Sequence, residues 1–361
     1  MKKTIVTVAV LLVVITLQFC SKSDTATETT TPVTVITPAL QPNLPTTAFS
    51  YVTTYPSHIQ IALNANDNTP ADNAMTNDGA TLGRVLFYDK QLSKNNTVAC
   101  ASCHKQTSAF DDNVAFSRGF EGGLTSRNSM ALINIRFYRS GRMFWDERSA
   151  TAEQQALQPI QDHTEMGLTL AALETKVRAL NYYPALFQKA FGNSTIDSVK
   201  IAKALSQFER SIVTYQAKYD RVKQGLEVFT PAEAAGETLF NTPPPGGGPA
   251  PSCQSCHTAP MFINSAAPPF GLLDPLDAGI NGLNRFKSGS LRNISTRTTL
   301  FHNGRIANLQ AMLTAGAPGS GTQPIPAHSV APQNVQNILA FMATLTDNTI
   351  ATEPKFSNPF Q

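Results

Sequence analysis

Two observations predict an all-α fold for this chain. Apolar residues recur at three- and four-residue spacing in several segments while no stretch alternates with period two, and the pattern Cys-x-x-Cys-His occurs twice, so the chain reads as two similar halves. At 361 residues it is long enough for two hydrophobic cores. The formal net charge of +3, without a Lys/Arg run interleaved with aromatics, argues against nucleic acid as a partner.

The elements follow in order. Lys2 and Lys3 form a short basic region and Ile5 to Leu17 an almost unbroken apolar one, the pattern of an export signal. The apolar run is too short for a comfortable permanent span. Cys20 follows where a signal peptidase would cut and resembles the lipidated first residue of a bacterial lipoprotein, although Gln18 and Phe19 stand where small residues are usual. Residues 1–20 are therefore expected to be a lipoprotein-type signal peptide, and the mature chain a periplasmic protein anchored to a membrane at Cys20. From Ser21 to about Thr54 the chain is rich in Thr, Pro and Ser, with Pro32, Pro38, Pro42 and Pro45 breaking any helix. Residues 21–68 are expected to form a flexible tether.

Helical spacing then begins. Leu82, Val85 and Leu86 mark a first helix, Leu170, Leu173, Val177 and Leu180 a second, and Val199, Ala202, Leu205, Phe208, Ile212 and Tyr215 a long third with one apolar face. A second unit opens at Thr230-Pro231-Ala232-Glu233, where Thr caps, Pro suits the first turn and Glu can reach back to the cap amide. Pro243 to Pro251 form a loop, and Val335, Ile338, Leu339, Met342 and Leu345 mark the last helix. With the boundary near Gly225, the expected domains are 69–225 and 226–350, followed by a tail over 351–361.

Four of the five cysteines form Cys100-Ala-Ser-Cys103-His104 and Cys253-Gln-Ser-Cys256-His257. This is the c-type haem attachment motif: two thiols on one turn add to the two vinyl groups of a haem, and the following imidazole sits under the iron. A thioredoxin-like pair needs no following His, and a four-thiolate zinc site would have to join motifs in opposite halves of the chain. Two covalently bound haems, held in two cytochrome c-like domains packed against each other, are the expectation.

Two haems alone permit a simple electron carrier. Beyond them, Leu82-Gly83-Arg84-Val85-Leu86-Phe87-Tyr88-Asp89, Ser126-Arg127-Asn128-Ser129, Phe144-Trp145-Asp146-Glu147-Arg148, Glu153-Gln154-Gln155, Glu165-Met166-Gly167, Ser290-Leu291-Arg292-Asn293 and Phe301-His302-Asn303-Gly304 together resemble the bacterial di-haem cytochrome c peroxidase family, which includes the MauG-type enzymes. The resemblance runs from Leu82 to about Leu345. It implies that the His104 haem is the peroxidatic, low-potential one and that the His257 haem is the high-potential one that accepts electrons. Glu165 matches the catalytic glutamate and Trp145, the chain's only tryptophan, the aromatic residue between the haems. Asn128 resembles a ligand of a calcium ion completed by carbonyls near Arg297 and Thr299. The implied partners are hydrogen peroxide and a small electron donor, a cytochrome c or a cupredoxin; a homodimer is one arrangement open to it.

Two positions depart from the family. Where many members carry a distal histidine this sequence places Phe120, and where the second haem's usual Met or Tyr ligand falls it has Gly316, leaving Met312, favoured, and His328 as substitutes. His302 reads as structural, His58 has no role, and His163 is close to Glu165. The reading is a di-haem peroxidase; a MauG-like oxidase of a protein partner and a non-catalytic di-haem carrier are its rivals.

Overall fold

The computed structural model describes residues 40–243, 252–264, 277–283, 285–315, 328 and 330–360. The signal segment, Cys20 and Gly316 lie outside them, and no helix among the described residues is long and apolar enough to cross a membrane. Twelve α-helices are described and no sheet, only isolated bridges that close loops. They are α1 (Ser57–Asn66), α2 (Asn77–Tyr88), α3 (Cys100–Cys103), α4 (Ala152–Gln161), α5 (Leu170–Ala179), α6 (Tyr183–Phe191), α7 (Ser198–Ser211), α8 (Lys218–Lys223), α9 (Pro231–Asn241), α10 (Cys253–Cys256), α11 (Leu309–Leu313) and α12 (Pro332–Ala343).

Helix ends follow local chemistry. Thr76, Thr151, Thr169 and Asp197 each accept a backbone N–H of the first turn that would otherwise lack a partner. Thr230 and Glu233 form the reciprocal capping box that opens α9, with Pro231 in its first turn. Of the residues placed on the apolar face of α7, Leu205 and Phe208 are fully buried, whereas Val199 is 61% exposed in the helix's first turn.

The two halves repeat one another far beyond the cysteine motifs. In the first, α2 crosses α7 so closely that a Cβ on Gly83 would lie 2.0 Å from the Ala204 carbonyl oxygen and close to Phe208. In the second, α9 crosses α12 with Gly236 in the same relation to the Asn337 oxygen, again 2.0 Å, and to Phe341. Asn134, in the left-handed region, exchanges hydrogen bonds with Thr214 and takes the Ile212 carbonyl through its own amide. Asn293 does the same with Asp347 and the Leu345 carbonyl. The echo that is weak in the residues is thus strong in the backbone.

Three expected boundaries shift. Residues 40–68, read as tether, contribute Tyr51, Tyr55 and Ile59 to the first core, all at most 5% exposed, and Tyr51 donates to the Lys355 carbonyl. The tail over 351–361 also returns to that core: Phe356 is buried against Phe110, Phe208 and Tyr51. A few apolar side chains in a Thr- and Pro-rich composition suffice to anchor both segments. The second core begins before Gly225, because Tyr219 packs on Phe262 and Phe341.

Candidate functional site

Each Cys-x-x-Cys-His segment is a single helical turn, and in both the His amide donates to the first Cys carbonyl at 3.0 Å (His104 to Cys100, His257 to Cys253). None of these four cysteines is in a disulfide. Burial pushes the Cys100 and Cys253 thiols up and Cys103 up to about 11, the reverse of the stabilised thiolate that a redox pair or zinc site requires. Burial keeps both imidazoles neutral, lowering His104 and taking His257, with His328 adding to the effect, down to about 4. His104 Nδ1 lies 3.3 Å from the Phe110 carbonyl, which leaves Nε2 as a lone pair for a metal, the usual arrangement of a ligating histidine. His257 Nδ1, also buried, faces the Phe262 and Gly289 carbonyls without reaching hydrogen-bond geometry.

Each histidine opens on a cavity. His104 lines one of about 900 Å3, together with Glu165, Glu209, Gln155, Phe116 and His302. His257 lines a tighter, largely apolar one of about 150 Å3 with Cys253, Cys256, Trp145, Met312 and His328. Asn128, Met130, Ala131 and Lys287 line both and form the wall between them. Neutral imidazole and paired thiols beside a cavity in each half fit a c-type haem, the second cavity being largely apolar and the first mixing apolar with charged side chains.

Glu165 sits on the loop after α4, where its backbone carbonyl accepts from the Phe120 amide at 3.0 Å. A Cβ on Gly119 would lie 1.7 Å from the Thr164 oxygen, so only glycine lets these two loops meet. Burial, and then the neighbouring Asp162, push the Glu165 carboxyl up to about 7, so near neutrality it can both hold and release a proton.

Trp145 and His302 follow Phe144 and Phe301, which share the same left-handed backbone (both φ 70°) at equivalent loop positions. Each projects into the cavity of the opposite half, Trp145 beside His257 and His302 beside His104, and their rings meet edge-on at 6.4 Å. The exchange is reciprocal in the backbone. The Asn128 amide donates to the His302 carbonyl at 2.7 Å and the Lys287 amide to the Trp145 carbonyl at 2.8 Å. The indole N–H donates to the Asn128 carbonyl at 2.8 Å, fixing the ring at the shared wall. The Asn128 side chain donates to Thr299 Oγ1, which brings together two of the residues named for calcium.

Other expectations are redirected. Phe120 does not line the first cavity; its ring packs on Gly167, with Lys94 over its face. His163 is exposed and lines neither cavity, because the turn after α4 directs it outward. His58 pairs with Asp220 at 2.9 Å, and the fully buried Arg292 grips the same carboxylate with two nitrogens. His302 stacks on Phe286, ring centroids 3.6 Å apart, in keeping with a structural role.

Three features were not anticipated. Glu209 on α7 lines the first cavity, its Oε2 without a hydrogen-bond partner among the described residues, and burial pushes its carboxyl up to about 8. The signal is a Glu at helical spacing with Leu205 and Ile212, a charged type on an apolar face. Arg127 joins Asp146 and Asp277 at the edge of that cavity, at 2.6 and 2.7 Å. Lys287 is buried in the shared wall, next to Phe286.

Residues 77–227 match the profile of the di-haem cytochrome c peroxidase family. The chain is 30% identical over 296 residues to cytochrome c551 peroxidase of Nitrosomonas europaea, covering 78% of this chain and 83% of that one. It is 29% identical over 254 residues to methylamine utilization protein MauG of Methylophilus methylotrophus, covering 68% and 73%. Among solved structures, a MauG-like protein associated with microbial copper homeostasis superposes with a TM-score of 0.71 at 27% identity over 87% of this chain and all of that one. The di-haem peroxidase BthA of Burkholderia thailandensis shares the fold, with a TM-score of 0.65 at 20% identity over 79% and 91%. This all-α chain therefore belongs to the di-haem cytochrome c peroxidase family, oxidoreductases with two c-type haems.

Proposed function

We propose that this enzyme reduces hydrogen peroxide to water, taking electrons from a small donor protein, a cytochrome c or a cupredoxin. The observation that carries the reading is Glu165, a half-buried carboxyl with its proton affinity raised to about 7, on the wall of the large cavity that His104 also lines. The reaction joins one peroxide, two protons and two electrons into two waters, so a group that moves protons inside the cavity is required.

In this reading Cys100, Cys103 and His104 hold the peroxidatic haem and Cys253, Cys256 and His257 the electron-accepting one. When bound, these groups supply the redox-active irons. Glu165 accepts a proton from one peroxide oxygen and returns it to the leaving oxygen. Trp145, clamped through its indole N–H and its carbonyl, carries electrons across the wall. Met312, buried in the cavity that His257 lines, would be a further side chain able to hold that haem, with His328 in the same cavity as the substitute. A calcium ion at the wall would be held by Asn128 and completed by backbone carbonyls near Arg297 and Thr299, since oxygen ligands suit that metal. The basic and apolar N-terminus with Cys20 supports a periplasmic lipoprotein.

The similarity to MauG proteins supports a second reading, oxidation of a protein partner at the same cavity. Steady-state peroxide consumption with reduced small cytochromes or cupredoxins as donors separates the two. Sustained donor oxidation is the expected result. Peroxide consumed without donor turnover, but with covalent change in a protein partner, favours the MauG-like reading, and neither reaction leaves an electron carrier.

A further inference from the structure

Lys287 belongs to neither half alone. Its side chain is 3% exposed, lies in the wall common to both cavities, and occupies the position in the second half that Asn128 occupies in the first. The equivalence is visible in the reciprocal backbone bonds, Asn128 to the His302 carbonyl and Lys287 to the Trp145 carbonyl. The ammonium donates to the Arg142 carbonyl and lies 3.6 Å from the centroid of the Tyr138 ring. Glu147 attracts it only from a distance, and among the described residues it forms no ion pair. A buried ammonium served by one neutral carbonyl and one ring face is under-compensated, because removing a charge from water costs several kcal/mol unless an anion repays it. Burial accordingly pulls it down to about 7, which an adjacent anion would reverse.

We infer that Lys287 is a shared anion site, its ammonium taking the propionate carboxylates of the haems in both cavities and so setting the two redox sites with one charge. The chemical class follows from what the cavities would hold: the second is largely apolar, the first mixes apolar with charged side chains, and the carboxylates of a haem are the anions such a group would carry to the wall. A positive charge held between two irons favours the reduced state of both, since reduction adds negative charge. Lys287 thus acts on the redox groups through their carboxylates and touches neither substrate nor iron. The inference rests on the assignment of His104 and His257 as the haem-bearing residues.

Spectroelectrochemical titration of the purified full-length holoprotein tests it, with haem content measured by pyridine haemochrome. In K287M both haems should become harder to reduce, each by about tenfold in its reduction equilibrium, which is about 59 mV for one electron. K287Q, which keeps a polar end without the charge, should show the same fall if K287M loads haem poorly. K287R keeps the charge and should leave both haems within about threefold of the parent. A shift confined to one haem, an unmoved pair in K287M and K287Q, or an equal fall in K287R would overturn the inference. A parent protein without two haems would instead overturn the reading on which it rests.

Discussion

The two cavities are built on one backbone plan and lined by different side chains. Around His104 the space is about 900 Å3 and carries two carboxyls, Glu165 and Glu209, both pushed up toward neutrality by burial. Around His257 it is about 150 Å3, mostly apolar, and brings Met312 and His328 beside the histidine. Room with proton carriers suits a small reacting molecule, whereas a tight apolar pocket with further ligand-type side chains suits a closed iron that only passes electrons. Two halves can therefore keep equivalent helix crossings, Gly83 on Ala204 and Gly236 on Asn337, while the side chains around each histidine differ.

The largest test of this contrast is Glu165→Gln. Turnover of peroxide should fall by about 10²–10⁴-fold, the range for a positioned acid–base group, with haem content and the second haem's spectrum unchanged. Parent-like turnover in steady-state assays removes Glu165 from the mechanism.

Next in size is the pH profile. Glu165 must be ionised to accept the first proton and its affinity is raised to about 7, so kcat/KM should fall about tenfold per pH unit below about 7. That limb should vanish from the residual rate of the Gln variant. A limb that survives unchanged belongs to another group.

The Phe120 position separates the cavities without an enzyme assay. Its ring is packed on Gly167 and cannot close the first site as a histidine would, so the fully oxidised protein should bind cyanide at the His104 haem before any reduction, with a high-spin ferric component in its electron paramagnetic resonance. Two purely low-spin haems and no cyanide binding would show a closed site. Met312→Ala should change the second haem's spectrum and leave cyanide binding at the first intact.

The smallest expected effect tests the sameness of the scaffold. Gly83→Ala and Gly236→Ala each drive a Cβ to 2.0 Å from a carbonyl oxygen, and each should cost about 1–3 kcal/mol by chemical denaturation. Strongly unequal costs would mean that the two crossings are not equivalent supports.

Stability should also respond to Glu209. Its carboxyl has an ordinary value of 4.5 when unfolded and about 8 when folded, so the folded chain binds more protons between those limits and loses stability as pH rises across them. Glu209→Gln should flatten that decline in thermal unfolding, whereas a decline unchanged in the variant would place its source elsewhere.

Local rules made much of this protein legible in the residues alone. The thiol-thiol-imidazole spacing states its own chemistry, Thr230 and Glu233 cap α9 through bonds spanning three residues, and apolar spacing located α2, α5, α7 and α12. Glu165 and Trp145 stood out only through resemblance, since a loop carboxylate and a lone tryptophan have no local signature. What tertiary structure alone decided is how charges and rings are buried. Tyr51 and Phe356 join one core although some 300 positions apart in sequence, Trp145 and His302 cross into each other's half, and Lys287 and Glu209 lose water because helices and loops from both halves close over them. Hydrogen-bonded turns and caps are short-range and written in neighbouring residues, but desolvation is a property of everything that packs around a group, and no window of sequence contains it.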